Sequence, residues 1–147
     1  MWSRWSLSLL PTGRRCDVEG DTVTFRVDGV PVPQGSKTVA TGGGKTWLRD
    51  ANAAKLRPWR ERVAAAADVG LTFDCPVSVR VLFEMPRPKR PKFGLPAVPP
   101  DVDKLARAVL DGLKQGGLVS DDGRVVRLVV EKVYTESPGA TVWVREV

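Results

Sequence analysis

The sequence predicts a single domain of the mixed α/β (α+β) class, in which a mixed β-sheet packs against two main helices. The chain has 147 residues, of which 42% are hydrophobic and 27% charged. This is the size and balance of one soluble globular domain. Segments with an apolar residue at every second position mix along the chain with two segments of helical periodicity. We find no internal repeat and no second domain.

Residues 1–20 are expected to form an N-terminal extension outside a folded domain that spans 21–147. The first ten residues include Trp2 and Trp5, but their apolar run is short and no small-residue cleavage site follows, which argues against a secretion signal. A mobile extension is one interpretation. The alternative is that the two tryptophans pack on the domain or on a partner subunit.

The first half of the domain is predicted as strand, loop and helix. Residues 22–32 alternate apolar and polar side chains, which is typical of a strand. The glycine-rich segment 33–45 is predicted as a loop. Residues 51–68 repeat apolar side chains at helical spacing, and Pro58 inside this pattern is interpreted as a mark of the true helix start, where proline is tolerated.

The second half begins with a strand at 76–84 and continues with a stiff, proline-rich and basic loop to residue 100. A helix is predicted over 102–115, with one broad apolar face and a charged face opposite it. Strands are predicted at 125–134 and 140–147, and the short turn between them predicts a terminal hairpin.

Charge and composition limit the possible functions. Lys and Arg total 23 against 17 for Asp and Glu, a net charge of +6, which favours a polyanionic partner such as nucleic acid. The chain has no histidine, which excludes His-based zinc sites, general acid–base catalysis by His and Cys–His nucleophiles. The two cysteines, Cys16 and Cys75, lack metal-ligand spacing. Any enzymatic chemistry must use carboxylates, Lys, Arg, hydroxyls or a metal held by oxygen.

Two pairs of acids surround the second helix. Asp101 and Asp103 stand at its start, where an acid can serve simply as a cap. Two acids beside a loop with nothing to neutralise them instead favour a hard cation such as Mg²⁺. Asp121 and Asp122 precede a glycine, a pattern that locally indicates a turn. Because the helix is about 20 Å long, Asp122 reaches the first pair only if residues 118–120 fold back along it.

Three segments, in the same order along roughly residues 22–145, resemble the RusA-like Holliday-junction resolvases. Residues 101–126 resemble the family pattern Asp-x-Asp-Asn-Leu-x-Lys, Leu-Asp-Ala-Leu, a glycine-containing bend, Asp-Asp and a valine-rich strand. Residues 29–37 resemble its Gly-x-Pro-x-Pro segment, and residues 83–89 resemble the strand and loop before the acids.

The resemblance implies a RusA-like fold and a set of catalytic, metal-binding acids. These are Asp101, Asp103 and Asp122, with Asp121 as the weaker member of its pair. Asp111 matches the Leu-Asp position and is second tier, because it can equally pair with Arg107 or Lys114 on the helix surface.

Two positions depart from the family pattern. Lys104 stands where the family has Asn, and Arg107 stands where it has Lys. Arg107 keeps the charge and can grip a phosphate, but it cannot donate a proton at neutral pH. Lys104 is a candidate to take over part of that role. Both remain candidate catalytic residues. The two departures leave open how active the protein is, rather than which reaction it catalyses.

The activity implied by the resemblance is Mg²⁺-dependent endonucleolytic cleavage of four-way DNA junctions, with Mn²⁺ as a substitute ion. The resemblance also implies a homodimer that makes paired symmetric nicks, leaves 5′-phosphate and 3′-hydroxyl ends, and acts in DNA recombination and repair. We expect a cytoplasmic protein, associated with the nucleoid in a bacterial host, while a phage or prophage origin stays open.

Clustered acids repel DNA unless basic residues surround them. The candidate phosphate contacts are Lys37, Lys45, Arg87, Lys89, Arg90 and Lys92. Phe93 is a candidate wedge at the branch point, or alternatively an aromatic packed under the loop. Two other functions stay open from the residues: a non-catalytic DNA-binding module whose acids are caps and turns, and a metal nuclease without junction preference.

Overall fold

A computed structural model describes residues 22–35, 37–50 and 53–147. The predicted N-terminal extension lies outside the described residues. The elements are β1 (Thr22–Asp28), β2 (Lys37–Gly42), β3 (Lys45–Asp50), α1 (Ala53–Ala67), β4 (Val77–Pro86), α2 (Val102–Gln115), a 3-10 turn (Asp122–Arg124), β5 (Val125–Thr135) and β6 (Gly139–Glu146). None of the helices in these ranges is long and apolar enough to cross a bilayer.

The main sheet has four strands in the order β1-β6-β4-β5. β4 and β5 are parallel, whereas β6 runs antiparallel to both β4 and β1. The predicted mixed sheet with two main helices is therefore confirmed. The predicted terminal hairpin is wrong, because β4 lies between β5 and β6. The connection through α2 places β5 parallel to β4. The most buried strand, β4, has a central place, with Val79, Val81 and Phe83 fully buried.

The predicted loop at 33–45 is wrong for its second half. β2 and β3 pair as a separate two-stranded hairpin. Gly43 and Gly44 form its turn with φ values of 58° and 75°, a conformation that glycine adopts without strain. The glycine-rich run is thus the turn of a hairpin. The preceding strand ends earlier than predicted, at Asp28, and the two prolines that follow it cannot donate to a strand ladder.

Helix α1 begins at Ala53, so Pro58 lies inside the helix rather than at its start. This part of the prediction is wrong. A proline there removes one backbone hydrogen bond, and the burial of Leu56 and Trp59, which are 1% and 2% exposed, offsets that loss through the hydrophobic effect.

Close packing of α1 on α2 fixes the helix that carries the candidate site. A Cβ at Gly112 would lie 2.5 Å from Val63 Cγ1, and one at Gly116 would lie 2.3 Å from the Ala64 carbonyl oxygen. Only glycine allows the two helices to approach so closely. The same broad face of α2 buries Leu105 and Leu113 in the core. As a result, α2 is held rigidly with both of its ends open to the surface.

Candidate active site

The N-terminal end of α2 carries the acid pair Asp101 and Asp103. Asp101 occupies the N-cap position with extended backbone angles, but its side chain makes no capping hydrogen bond. Its carboxylate instead lies 3.7 Å from the Lys104 ammonium. Capping therefore does not account for Asp101. Asp103 is exposed in the first turn, and no Lys or Arg side chain of the described residues forms an ion pair with it. This end thus presents two carboxylates with little structural use of their own.

Two contacts from distant parts of the chain hold this end in place. The Lys132 ammonium on β5 donates to the carbonyls of Val98 and Pro100, at 3.0 and 2.9 Å, in the loop that leads to Asp101. The backbone N–H of Gln34 donates to the Lys104 carbonyl at 3.0 Å. Sequence analysis did not identify Lys132 or Gln34, because nothing in the local pattern of either shows a contact with α2.

At the C-terminal end of α2, Asp121 has clear structural partners. Its carboxylate lies 3.1 Å from the Lys114 ammonium and accepts the Gly123 N–H at 3.1 Å. The Lys114 hydrogen bond, followed by the one from Gly123, lowers the pKa of Asp121. The turn interpretation therefore describes Asp121 well. Lys114, which the sequence suggested only as a possible partner of Asp111, pairs with Asp121.

Asp122 differs from its neighbour. Burial of its carboxyl, and then repulsion from Asp111, raises the pKa of Asp122 against the opposing influence of Lys114. Asp111 itself lies 3.8 Å from the guanidinium of Arg60 on α1. Two carboxylates whose negative charges oppose each other form a site that a cation would stabilise. Asp111 therefore belongs to the same group as Asp122.

The segment before Asp121 is anchored on the chain between α1 and β4. Asp74 accepts hydrogen bonds from the Ser120 hydroxyl at 2.6 Å and from the Arg124 guanidinium at 2.9 Å. The backbone of Phe73 exchanges hydrogen bonds with Leu118 and Ser120, at 2.7 and 3.0 Å. Residues 118–120 thus pair with this segment and do not fold back along α2.

The two acid groups consequently lie at opposite ends of α2. The helix has 14 residues and spans about 20 Å. The structure brings Asp111, Asp121 and Asp122 close to Lys114 and brings Asp101 close to Lys104, but it does not bring Asp122 to Asp101 or Asp103. Within one chain, the described ranges contain no group of three acidic side chains that could hold one metal ion.

Asp101 and Asp103 open onto two different hollows. Asp101 and Lys104 line a cleft of about 830 Å³ that reaches back to the segment after β1. Asp103 and Arg107 line a cavity of about 410 Å³ between α2 and β5. Around this second cavity the surface is apolar, with Val126 and Leu128 60% and 41% exposed. Arg107 therefore lies beside Asp103.

The predicted phosphate contacts lie mainly on one exposed loop after β4. Arg87, Lys89, Arg90 and Lys92 are all exposed there, close in sequence to the acid pair. Phe93 is 46% exposed, 5.4 Å from the Lys92 ammonium, so it is not packed under the loop. Lys45 is exposed at the β2–β3 turn. Lys37 lies in β2, but its side chain is outside the described part of the structure.

Comparison with known proteins gave two findings. The sequence model of a family described as "Endodeoxyribonuclease RusA" matches residues 28–145. The chain is also 34% identical over 142 residues to the uncharacterized protein YqaN of Bacillus subtilis (strain 168), an alignment that covers 86% of this chain and 98% of the relative. The family match includes every candidate acid and every candidate phosphate contact.

Proposed function

Because the chain belongs to the RusA family of endodeoxyribonucleases, we propose that it is a Mg²⁺-dependent endonuclease that resolves four-way DNA junctions by paired symmetric nicks. The observation that carries this proposal is the division of the acids between the two ends of α2. One end presents Asp101 and Asp103 with little structural use, and the other presents Asp122 repelled by Asp111. Its role is in DNA recombination and repair.

A twofold dimer explains why one chain holds only parts of a site. When two copies of α2 run antiparallel about a twofold axis, the N-terminal end of each helix meets the C-terminal end of the other. Asp101 and Asp103 of one protomer then meet Asp122 of its partner, twice in the dimer. Two equivalent sites are what two symmetric nicks require. Leu128, which lines the cavity with Asp103, and Val126 on the same strand are both exposed. They give such a pairing an apolar surface to cover.

The side chains fit a hard divalent cation. Asp101, Asp103 and Asp122 offer only carboxylate oxygens, which suit Mg²⁺ and also Mn²⁺. When bound, the ion supplies positive charge that offsets the negative charge developing on the phosphate and eases deprotonation of the attacking water. Asp111 and Asp121 shape the field at the C-terminal end, and Asp121 keeps Lys114 there through their ion pair.

Three groups of this chain act on the DNA directly. Arg107, beside Asp103, adds positive charge where the phosphate is attacked. Lys104 is placed by its ion pair with Asp101 and can donate a proton to the leaving oxygen. The exposed basic loop holds the flanking phosphates through Arg87, Lys89, Arg90 and Lys92, with Phe93 free to stack at the branch point.

The first test is cleavage of a labelled four-way junction beside a linear duplex of matching sequence, with Mg²⁺, with Mn²⁺ and with chelator. We expect paired nicks in the junction alone, lost with chelator and with Asp103→Asn, and retained by the matched control Asp68→Asn, an exposed acid just after α1. Equal cutting of both substrates would leave a metal nuclease without junction preference. Tight binding without cutting under either metal would favour a non-catalytic DNA-binding module.

Mixing two inactive variants tests the shared site. In a dimer of Asp103→Asn with Asp122→Asn, a site built across the interface places both substitutions in one site and leaves the other intact. Since half of randomly mixed dimers are hybrids, about a quarter of the sites should recover and should give single rather than paired nicks. If each site lies within one chain, no mixture regains activity, and the interface arrangement is wrong.

A further inference from the structure

The cleft of about 830 Å³ beside Asp101 has no role in the cleavage chemistry proposed above. We call it the proline cleft: its walls come from residues 30–35 after β1, from the ends of β4 and β5, and from residues 96–100 before α2. Prolines, Met85 and Tyr134 make most of this surface apolar. Its volume lies in the range of pockets that bury a small organic group, and one rim is a proposed catalytic acid.

The proline cleft contains one polar group that the fold leaves without a partner. The Oε1 atom of Gln34 is buried and accepts no hydrogen bond from the residues that the structure describes. A buried carbonyl in this state destabilises the fold until a donor reaches it. The Gln34 backbone is fixed by its bond to the Lys104 carbonyl, whereas the last torsion of a glutamine side chain is broad. The amide can therefore turn to meet a group that enters.

A second polar group complements the glutamine. Lys132 also lines the cleft, and its ammonium has three N–H donors, of which two reach the carbonyls of Val98 and Pro100. An acceptor at Gln34 and a donor at Lys132 suit a ligand whose edge carries both donors and acceptors. Flat apolar faces with such an edge are the chemistry of a nucleobase. A phosphate group does not suit these apolar walls.

The position of the cleft beside the proposed cleavage site indicates that such a base would come from the bound DNA. Asp101 lines the cleft, so its occupant lies directly against the proposed site of strand cleavage. Lys55 and Lys104 lie on the same surface and can meet the phosphates on either side. A paired, stacked base cannot reach such a cleft, but bases at a branch point leave the stack at a smaller free-energy penalty.

We propose that the proline cleft receives one unstacked nucleobase of the strand that is cut, and that Gln34 reads the edge of that base and so determines the sequence at which cleavage occurs. This inference rests on the proposed function. It deepens that function by adding a specificity-determining residue outside the acid groups and outside the basic loop.

The experiment has a cleavage arm and a binding arm. Cleavage is mapped on junctions whose crossover can migrate through many sequences, for the wild type, Gln34→Leu and Gln34→Glu. Thr24→Leu is the control, because Thr24 is exposed on the edge strand β1 and lies outside the cleft and both acid groups. We expect the wild type and the control to share one sequence preference. Gln34→Leu should flatten that preference about tenfold, the value of one good base contact, and Gln34→Glu, which keeps the acceptor but loses the amide donors, should shift it to different sequences.

The binding arm uses chelator and a junction with 2-aminopurine, a fluorescent base quenched by stacking, at successive positions around the crossover. We expect emission to rise at one position on binding by the wild type, and this rise to shrink with Gln34→Leu. A junction that is cut with the same preference by Gln34→Leu, and without a rise in emission at any position, would overturn the cleft proposal alone. A wild type that neither binds nor cuts junctions would overturn the proposed function, and the cleft proposal with it.

Discussion

The two ends of α2 carry similar numbers of acids, but they use them differently. At the N-terminal end, the Asp101 side chain makes no capping hydrogen bond and Asp103 is exposed, so the fold gains little from either carboxylate. At the C-terminal end, Asp121 caps a turn and pairs with Lys114, so the fold gains from that carboxylate directly. The comparison teaches that acidic residues in a sequence motif are the best candidates for functional residues where they have no structural partners.

The largest expected effect is the loss of junction cleavage when an acid at the N-terminal end of α2 is replaced. Asp103→Asn should reduce junction cleavage at least ~100-fold, as expected for loss of a group that supports charge in the transition state, with little change in stability because Asp103 is exposed. Asp121→Ala, which removes both the acceptor of the Gly123 N–H and the partner of Lys114, should instead lower the free energy of unfolding and reduce cleavage much less. Cleavage rates and thermal melting of both variants measure the contrast. A stability loss larger for Asp103→Asn than for Asp121→Ala would reverse our interpretation of the two ends.

A middle-sized effect concerns the contacts that hold each end. Lys132→Met removes two hydrogen bonds from a charged donor to the loop before Asp101, and we expect a loss of about 2 kcal/mol in stability together with weaker cleavage. Asp74→Asn weakens exposed contacts to Ser120 and Arg124 and should lower stability by less than about 1 kcal/mol. Urea unfolding compares the two variants, with the exposed Lys89→Met as control. Equal losses would show that both ends are held alike.

The smallest expected effect is the pH dependence of stability at Asp122. Burial, and then repulsion from Asp111, raises the folded-state pKa of this acid, so the folded state holds the proton more tightly than the unfolded state. Its contribution to stability is therefore present at low pH and is lost as the pH rises through the folded-state pKa. In the presence of chelator, the stability of Asp122→Asn should not show this fall with rising pH. The variant should be no less stable than the wild type at neutral pH.

Melting of both proteins across acidic to neutral pH gives the measurement, and added Mg²⁺ should reduce the difference by favouring the charged acid. A variant that is clearly less stable than the wild type at neutral pH would show that Asp122 has a structural partner.

Local sequence was sufficient for several elements. The helix predicted over 102–115 is confirmed at those residues, because its apolar face, its flanking proline-rich segment and the glycines after it are all local signals. The strands around it are also where alternation predicted them. The hairpin at 37–50 was missed because glycine and lysine obscured the alternation of two short strands.

The sequence by itself therefore determined most of the elements and the family, and it supplied the candidate acids, since these depend on neighbours within a few residues. Only the tertiary structure decided that β4 lies between β5 and β6 and that Asp122 stays at the far end of α2 from Asp101. It also decided that Gln34 contacts the first turn of that helix and that Lys132 contacts the loop before it. Such contacts join residues up to about a hundred positions apart. They follow from which strand buries the most apolar surface and from which backbone groups still need partners once that core has formed.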